Sequence, residues 1–576
     1  FNSRYRFPTL NAFYNSFPAG TAIPTGPEIT VNPDGSPRLM ANQTGISDGT
    51  GRPTFFEYRY SAVTDEVPLA RFEALQLGFY AQDEWQVAEN FKLTTGVRID
   101  IPIFTQDAEP NAQANEINFL NNERFDFSKF PEAYVMFSPR VGFNWDVKND
   151  KSIQVRGGTG VFSGRIPFVW MSNQASNTGA LFGTINPGFN ANGLADFPFR
   201  ENVSAYKPAD AIGRIPATYA LNVTAQNFRF PQVWRSNLAT DFKLPYGIVA
   251  TLEAGITADL NAIYVRNANL GPAVGTVAGD GRVRYAGGAA SRLNANILEN
   301  IVLDNNNQGW SAFITAQVQK NFGKGFFASA AYNFGPSYDI NSGNASTAGS
   351  FFTGNPVVGN PNAPVLSYSG NEQLHRFFVS GAYKVEYAKN FATGISLFFE
   401  GRSGNRFSYT YGGDLNGDNV TGNDLMYIPR DQSEIILAPT NANDLRTPQQ
   451  IWDDLNAYIE QDKYLSANRG QYAARNGAQS PWVFRMDLRI FQDFYIETKG
   501  KRNTLQVSLD IFNFANMLNS DWGVIRNPIR SQLLNFVGTE TNTGRPIFTY
   551  NPTTISRDGA VVERNITFQD SINNFA

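Results

Sequence analysis

Along much of the chain, apolar and polar residues alternate one for one. In 75–85, Leu75, Leu77, Phe79, Ala81 and Trp85 share one parity, and Gln76, Tyr80, Gln82 and Glu84 the other. In 91–100, Phe91, Leu93, Val97 and Ile99 alternate with Lys92, Thr94, Arg98 and Asp100. Val141, Phe143, Trp145 and Val147 oppose Arg140, Asn144 and Asp146, and Trp310, Ala312, Ile314, Ala316 and Val318 oppose Ser311, Thr315, Gln317 and Gln319. A period of two sends successive side chains to opposite faces of a strand. The same alternation predicts strands over 152–161, 233–243, 248–257, 326–334, 376–387, 391–401, 482–493 and 503–513.

The connections alternate between short and long. Val87–Asn90, Lys148–Lys151, Lys320–Gly325, Ala388–Asn390 and Glu497–Asn503 carry the Asn, Asp, Gly and Lys of tight turns. Between the hairpins lie 102–138, 163–230, 266–308, 335–370, 403–479 and 519–563, rich in Asn, Gly, Pro and Ser. Irregular loops of that length are uncommon in compact soluble domains. Short turns on one side and long loops on the other are the arrangement of an outer-membrane barrel. Trp85, Trp145, Trp310, Tyr387, Trp482 and Trp522 sit near strand ends, where rings with a polar edge favour the membrane–water boundary. A soluble β-sandwich with an aromatic core is the competing reading. Within 403–479 one helix is expected, capped by Thr447, entered through Pro448, and apolar along Ile451, Leu455, Tyr458 and Ile459.

Composition narrows the choice. Charged residues are 17% of the 576 and aromatics 14%, against about 25% charged in ordinary soluble domains. Mean hydropathy is nevertheless polar, at -0.31. A membrane barrel reconciles the two, because only one residue in two faces lipid, and no run of about 20 apolar residues offers a helical span. There are no cysteines, which removes disulfides, thiolate metal sites and cysteine nucleophiles. With a net charge of -4 and no basic clusters, a nucleic-acid partner is not expected.

Candidate chemistry is sparse. Asp414, Asn416, Asp418 and Asp424 place oxygen ligands at the spacing of a calcium loop, with the Val420 carbonyl between them. Asn419 stands where that loop has glycine, and Leu425 where it has its last acid. An Asx-rich turn without metal fits the same residues. As a calcium site it would stiffen an extracellular loop and be the chain's one cofactor. The single histidine, His375, leaves no His-based zinc site or Ser–His pair and reads as a rim residue. Gly157-Gly158-Thr159-Gly160 has no helix or Lys-Ser/Thr after it, so it reads as a strand bend and not a phosphate cradle. No catalytic residue is expected. Gln82, Glu84, Arg98, Asp100, Arg140, Asn144, Arg156, Gln317, Lys384 and Glu400 are the expected lining of a wet lumen. Trp170, Tyr409, Tyr411 and Trp452 are loop aromatics within reach of a ligand.

Several stretches resemble Oar-like TonB-dependent outer-membrane receptors, relatives of the SusC-type transporters of Bacteroidota. They are Ile459-Glu460-Gln461-Asp462-Lys463-Tyr464-Leu465, then Arg469-Gly470-Gln471-Tyr472-Ala473-Ala474-Arg475-Asn476-Gly477 and Pro481-Trp482. Leu509-Asp510-Ile511-Phe512-Asn513-Phe514-Ala515-Asn516 agrees, as does Asp414-Leu415-Asn416-Gly417-Asp418 with Asn423-Asp424-Leu425-Met426-Tyr427-Ile428-Pro429. So do Tyr80-Ala81-Gln82-Asp83-Glu84-Trp85 and Gly96-Val97-Arg98-Ile99-Asp100. The resemblance implies an all-β transmembrane antiparallel barrel of about 22 strands, of which residues 1–576 would supply somewhat over half, with 403–479 as a loop insertion. It also implies a plug, an N-terminal regulatory-like domain and a TonB-interacting segment, none visible in this sequence. Phe1-Asn2-Ser3 reads as mid-barrel, and Asn574-Phe575-Ala576 stops short of a closing strand. The implied partners are outer-membrane lipid, the TonB complex, a surface lipoprotein, and a small nutrient, peptide or glycan. The alternatives are a surface scaffold, adhesin or secretion-associated barrel without transport, and a soluble secreted β protein that binds carbohydrate.

Overall fold

The computed structural model describes residues 69–557 apart from 190–193, 201, 203 and 344, with shorter stretches between 2 and 63 and between 560 and 570. Phe1 and Asn574–Ala576 lie outside the described residues.

Twelve strands form one continuous wall: β1 (Ala74–Ala88), β2 (Phe91–Phe104), β3 (Met136–Asp146), β4 (Ile153–Ser163), β5 (Gln232–Leu244), β6 (Ile248–Asn267), β7 (Trp310–Gly323), β8 (Phe326–Phe334), β9 (His375–Tyr387), β10 (Phe391–Arg402), β11 (Val483–Thr498) and β12 (Lys501–Ile511). Each pairs antiparallel with its sequence neighbour, so the wall is a meander with no crossover. All twelve coincide with runs of period-two alternation. The shortest has 9 residues and the longest 20, against the roughly 9–11 needed to cross a bilayer.

Register keeps the two faces separate from strand to strand. Phe79 faces Ile99, Thr95 faces Val141, Leu252 faces Ala316, and Leu397 faces Leu488. A slip of one residue would send every apolar side chain to the other face. The apolar row points outward and is uncovered: Phe79 is 60% exposed, Ile314 59% and Leu505 65%. An apolar surface that extends over a whole sheet is tolerated only in lipid.

The tight connections gather at one end of the wall. Lys324–Gly325 (φ 49° and 80°) and Lys499–Gly500 (φ 51° and 75°) are left-handed at both positions, the conformation that matches the twist of a two-residue hairpin. Pro245–Gly247 closes β5 onto β6, a turn that the sequence reading had passed over.

The opposite end differs from expectation. The long segments are folded, not irregular. Thr410–Gly412, Gln532–Thr539, Pro546–Tyr550 and Ile436–Ala438 make a four-stranded mixed sheet. Helix α1 (Pro448–Gln461) sits beside it, with a Thr447/Gln450 capping box and Ile451, Leu455, Tyr458 and Ile459 fully buried. Ile297–Asn306 pairs with the upper part of β6 and, in parallel, with Tyr219–Thr224. These units have cores of their own. Trp170, Tyr409, Tyr411 and Trp452 are 4%, 0%, 2% and 8% exposed. They are structural residues of this roof and not surface contacts for a ligand, because each loop is long enough to bury its aromatics against its neighbours.

Candidate functional site

Two regions collect polar groups: the inner face of the wall, and the floor of the roof. On the wall, Gln82 and Glu84 (β1), Arg98 and Asp100 (β2), Arg140 and Asn144 (β3), Arg156 (β4), Gln317 (β7), Lys384 (β9) and Glu400 (β10) all have the parity opposite to the lipid-facing row. Most are tied across or along strands. Arg98 grips Asp100 with two hydrogen bonds, Nε to Oδ2 at 2.8 Å and Nη2 to Oδ1 at 2.7 Å. A Cβ on Gly78, opposite Asp100, would meet that guanidinium at 2.8 Å, so the glycine makes the room. Glu84 pairs with Lys92 at 3.0 Å, and Arg156 with Asp241 at 3.6 Å. Gln154 donates to Asn144 at 2.6 Å. Arg376 reaches Glu400 at 2.6 Å, and Lys384 reaches Asp493 at 2.7 Å, where Gln506 also donates. The Arg140 guanidinium lies over Phe162, 5.5 Å from the ring centre. Gln82 and Gln317 add uncharged polar groups to the same face.

Exposed cross-strand ion pairs contribute about 0.2–1 kcal/mol each. Their effect here is chemical more than energetic: they hold a row of charges against the sheet, with the buried carboxylates Asp100 and Asp493 each matched by a cation, Arg98 and Lys384. Asp241, Arg376 and Asp493 were missing from the sequence reading. Their own alternation places them on this face, but their pairing depends on which residue lies opposite, which only register supplies.

Gly157, Gly158 and Gly160 lie mid-strand in β4. A Cβ on Gly157 would come within 2.8 Å of the Asn237 carbonyl, and one on Gly160 within 2.9 Å of the Pro139 carbonyl. They allow close backbone approach. His375 opens β9 at the rim, its Nδ1 2.8 Å from the Tyr332 hydroxyl and its ring stacked on Trp482.

In the roof floor, Asp414 accepts backbone N–H bonds from Gly417 at 2.8 Å, Asp418 at 3.1 Å and Asn419 at 2.9 Å. Asp418 Oδ1 accepts from the N–H of Val420 at 2.8 Å, and its Oδ2 from the amides of Asn416 at 3.1 Å and Asn423 at 3.0 Å. Asp424 accepts from the Leu415 N–H at 2.8 Å and meets Arg282 at 3.1 Å. Burial, with repulsion from Asp418, pushes the Asp414 carboxyl up to about 6. Burial also pushes Asp424 up to about 6 against the pull of Arg282, and raises Asp418. Among the described residues, no three His, Cys, Asp or Glu side chains converge on one point. The carboxylate oxygens here are met by backbone N–H and amide NH2 groups, which is the hydrogen-bonding pattern of an Asx-rich turn.

Arg282 is fully buried between this segment and its neighbour. It bonds Asp280 at 2.6 Å and the Leu425 carbonyl at 2.7 Å, and lies over the rings of Tyr411 and Tyr472. The 268–309 connection is thereby clipped into the 403–482 connection.

A meander with one lipid-facing and one polar face, short turns at one end and a large folded roof at the other, defines an outer-membrane β-barrel wall. The chain belongs to the outer membrane beta barrel domain family, whose profile matches residues 4–553. It is a protein of the bacterial outer membrane. No curated protein sequence matches it. Among solved structures it is similar to the FrpB iron transporter from Neisseria meningitidis (9% identity, 77% of this chain and 41% of that chain, TM-score 0.36). It is also similar to the outer membrane transporter YddB from Escherichia coli (12%, 90% and 46%, TM-score 0.37) and to the copper transporter OprC (8%, 83% and 46%, TM-score 0.33). The chain thus spans under half the length of each of these transporters.

Proposed function

We propose that this chain is the wall and roof of an Oar-like TonB-dependent receptor, related to the SusC type, that imports a nutrient through a plugged barrel. The observation that supports this reading most directly is the polar face of the wall, where charged and amide groups line successive strands. The named residues on it are the proposed lumen lining, and the roof is the proposed outer mouth. Movement of the plug would be driven through TonB from the inner membrane, by segments outside these residues. Among the described residues the outer sides of β1 and β12 have no strand partner, and in lipid they need backbone partners, since each open amide or carbonyl there costs several kcal/mol. They are therefore the seams at which the rest of the barrel joins. This reading assigns no catalytic step to the chain.

The test is a comparison of three strains. A gene deletion should spare one set of medium components from depletion, and a strain without TonB function should spare the same set. A phenotype in the deletion that TonB loss does not reproduce would favour the scaffold, adhesin or secretion-associated reading.

A further inference from the structure

We propose that a trough in the lipid-facing surface of the wall holds one anionic phospholipid of the inner leaflet, with an acyl chain along β7 and the phosphate at Lys320. The site is separate from the lumen and from transport.

The lipid-facing surface is not evenly filled. Between β5 and β9 it sinks into an apolar trough of about 690 Å³. Register sets Ala250, Val318, Ala330 and Val379 in one outward row, and Leu252, Ala316, Tyr332 and Phe377 in the next. Ala316 and Ala330 make the floor, Phe242 and Leu252 one side, and Phe377 and Val379 the other. Phe377 leans over Gly401, where no Cβ could stand beside its ring, and so leaves the trough open. A hollow against fluid lipid forfeits dispersion contacts unless something fills it. The solvent there is hydrocarbon, and a long, narrow, apolar hollow takes an acyl chain.

Charge at one end of the trough decides which molecule brings that chain. Among the outward residues of β7 and β8, Lys320 alone is charged. It stands one row beyond Val318, toward the tight turns, between Ile248 and Ala328. The next residue in that row is Gly381, where an added Cβ would meet nothing within 4 Å, so the trough stays open beneath the lysine. The Lys320 ammonium lies 4.6 Å from the centre of the Phe322 ring and 6.0 Å from that of Tyr246, and among the described residues no carboxylate pairs with it. Short turns mark the periplasmic side, and the rings mark the headgroup level. A lysine on a lipid-facing surface is costly unless it reaches water or an anion. Here the phosphate of the lipid that fills the trough is the anion at hand. From Lys320 to Ala316 is about 13 Å of strand, close to half of the roughly 30 Å hydrocarbon core, which is the depth of one leaflet. A headgroup with net negative charge fits best, because it brings no ammonium to compete with Lys320. A second copy of this chain fits poorly. In the same membrane it would set its own Lys320 at the same depth, like charge against like.

The test uses the full-length protein, extracted from outer membranes in mild detergent, delipidated, and titrated with phosphatidylglycerol or phosphatidylethanolamine under native mass spectrometry. Wild type should retain one phosphatidylglycerol in preference to phosphatidylethanolamine. Lys320→Gln should weaken phosphatidylglycerol about fivefold, the effect of one charge at a membrane surface, and leave phosphatidylethanolamine nearly unchanged. The double variant Ala316→Leu, Ala330→Leu fills the trough and should lose the retained lipid, while heat-modified gel migration shows that each barrel is folded. Equal retention by wild type and the filled variant, as for lipid spread over the whole barrel surface, would overturn the proposal. So would a headgroup preference that survives Lys320→Gln, or a dimer that the filled variant dissociates, since a second copy would then occupy the trough.

Discussion

Arg282 shows what one side chain can do in the roof. Its charge is buried with Asp280 and Asp424, so deleting it strands two carboxylates away from water. Arg282→Met should cost the roof about 3–5 kcal/mol, read as earlier cleavage of 268–309 in a urea-dependent proteolysis series, with the wall unchanged. On the wall the scale is smaller. Gly78→Ala should push the Arg98 guanidinium off Asp100, for about 1 kcal/mol or less, visible as altered conductance or ligand access before any loss of folding. Neither effect was legible in the sequence. Gly78 is one glycine in a strand, and Arg282 is one arginine in a loop; each acquires its meaning from a partner in another part of the chain. The parity of Arg98 and Asp100, in contrast, was readable at once, because a strand fixes the direction of every second side chain.

At the level of elements, the wall was legible and the roof was not. Every wall strand shows in the alternation because each has one face in lipid, and lipid imposes the period. Boundaries moved outward, as in β6, whose last residues leave the wall and pair with Ile297–Asn306 instead of β7. Roof strands such as Thr410–Gly412 and Ile436–Ala438 are only 3 residues long, too short for any period, and they pair in parallel with segments more than a hundred residues away. Helix α1 is the exception in the roof, since its cap, proline and apolar stripe are local signals. Thr447→Ala should remove one cap, at about 1 kcal/mol, while Leu455→Ala, at a fully buried position, should cost about 2–5 kcal/mol. Differential scanning of the wild type and the two variants should rank them in that order.

For the whole molecule, the decisive property is which face a residue takes. Leu252 on β6 points to lipid and Gln317 on β7 to the inner side, although they lie on neighbouring strands. Leu252→Arg should cost about 2–4 kcal/mol near the bilayer midplane, and Gln317→Arg close to nothing. The fraction of folded, heat-modifiable protein recovered in membranes checks this. Equal losses for the two would contradict the assignment of faces.

The split between a sequential wall and a non-sequential roof sets a clock for folding. Each tight hairpin of the wall closes over two to six residues, whereas the roof sheet joins Thr410–Gly412 to Gln532–Asn535 and Ile436–Ala438 to Ile547–Thr549. Closing so long a span is slow until both ends are already held near each other. The wall's hairpins supply that holding, so the wall should gain protease resistance first, and the outer mouth of the barrel should be the last part of the protein to exist.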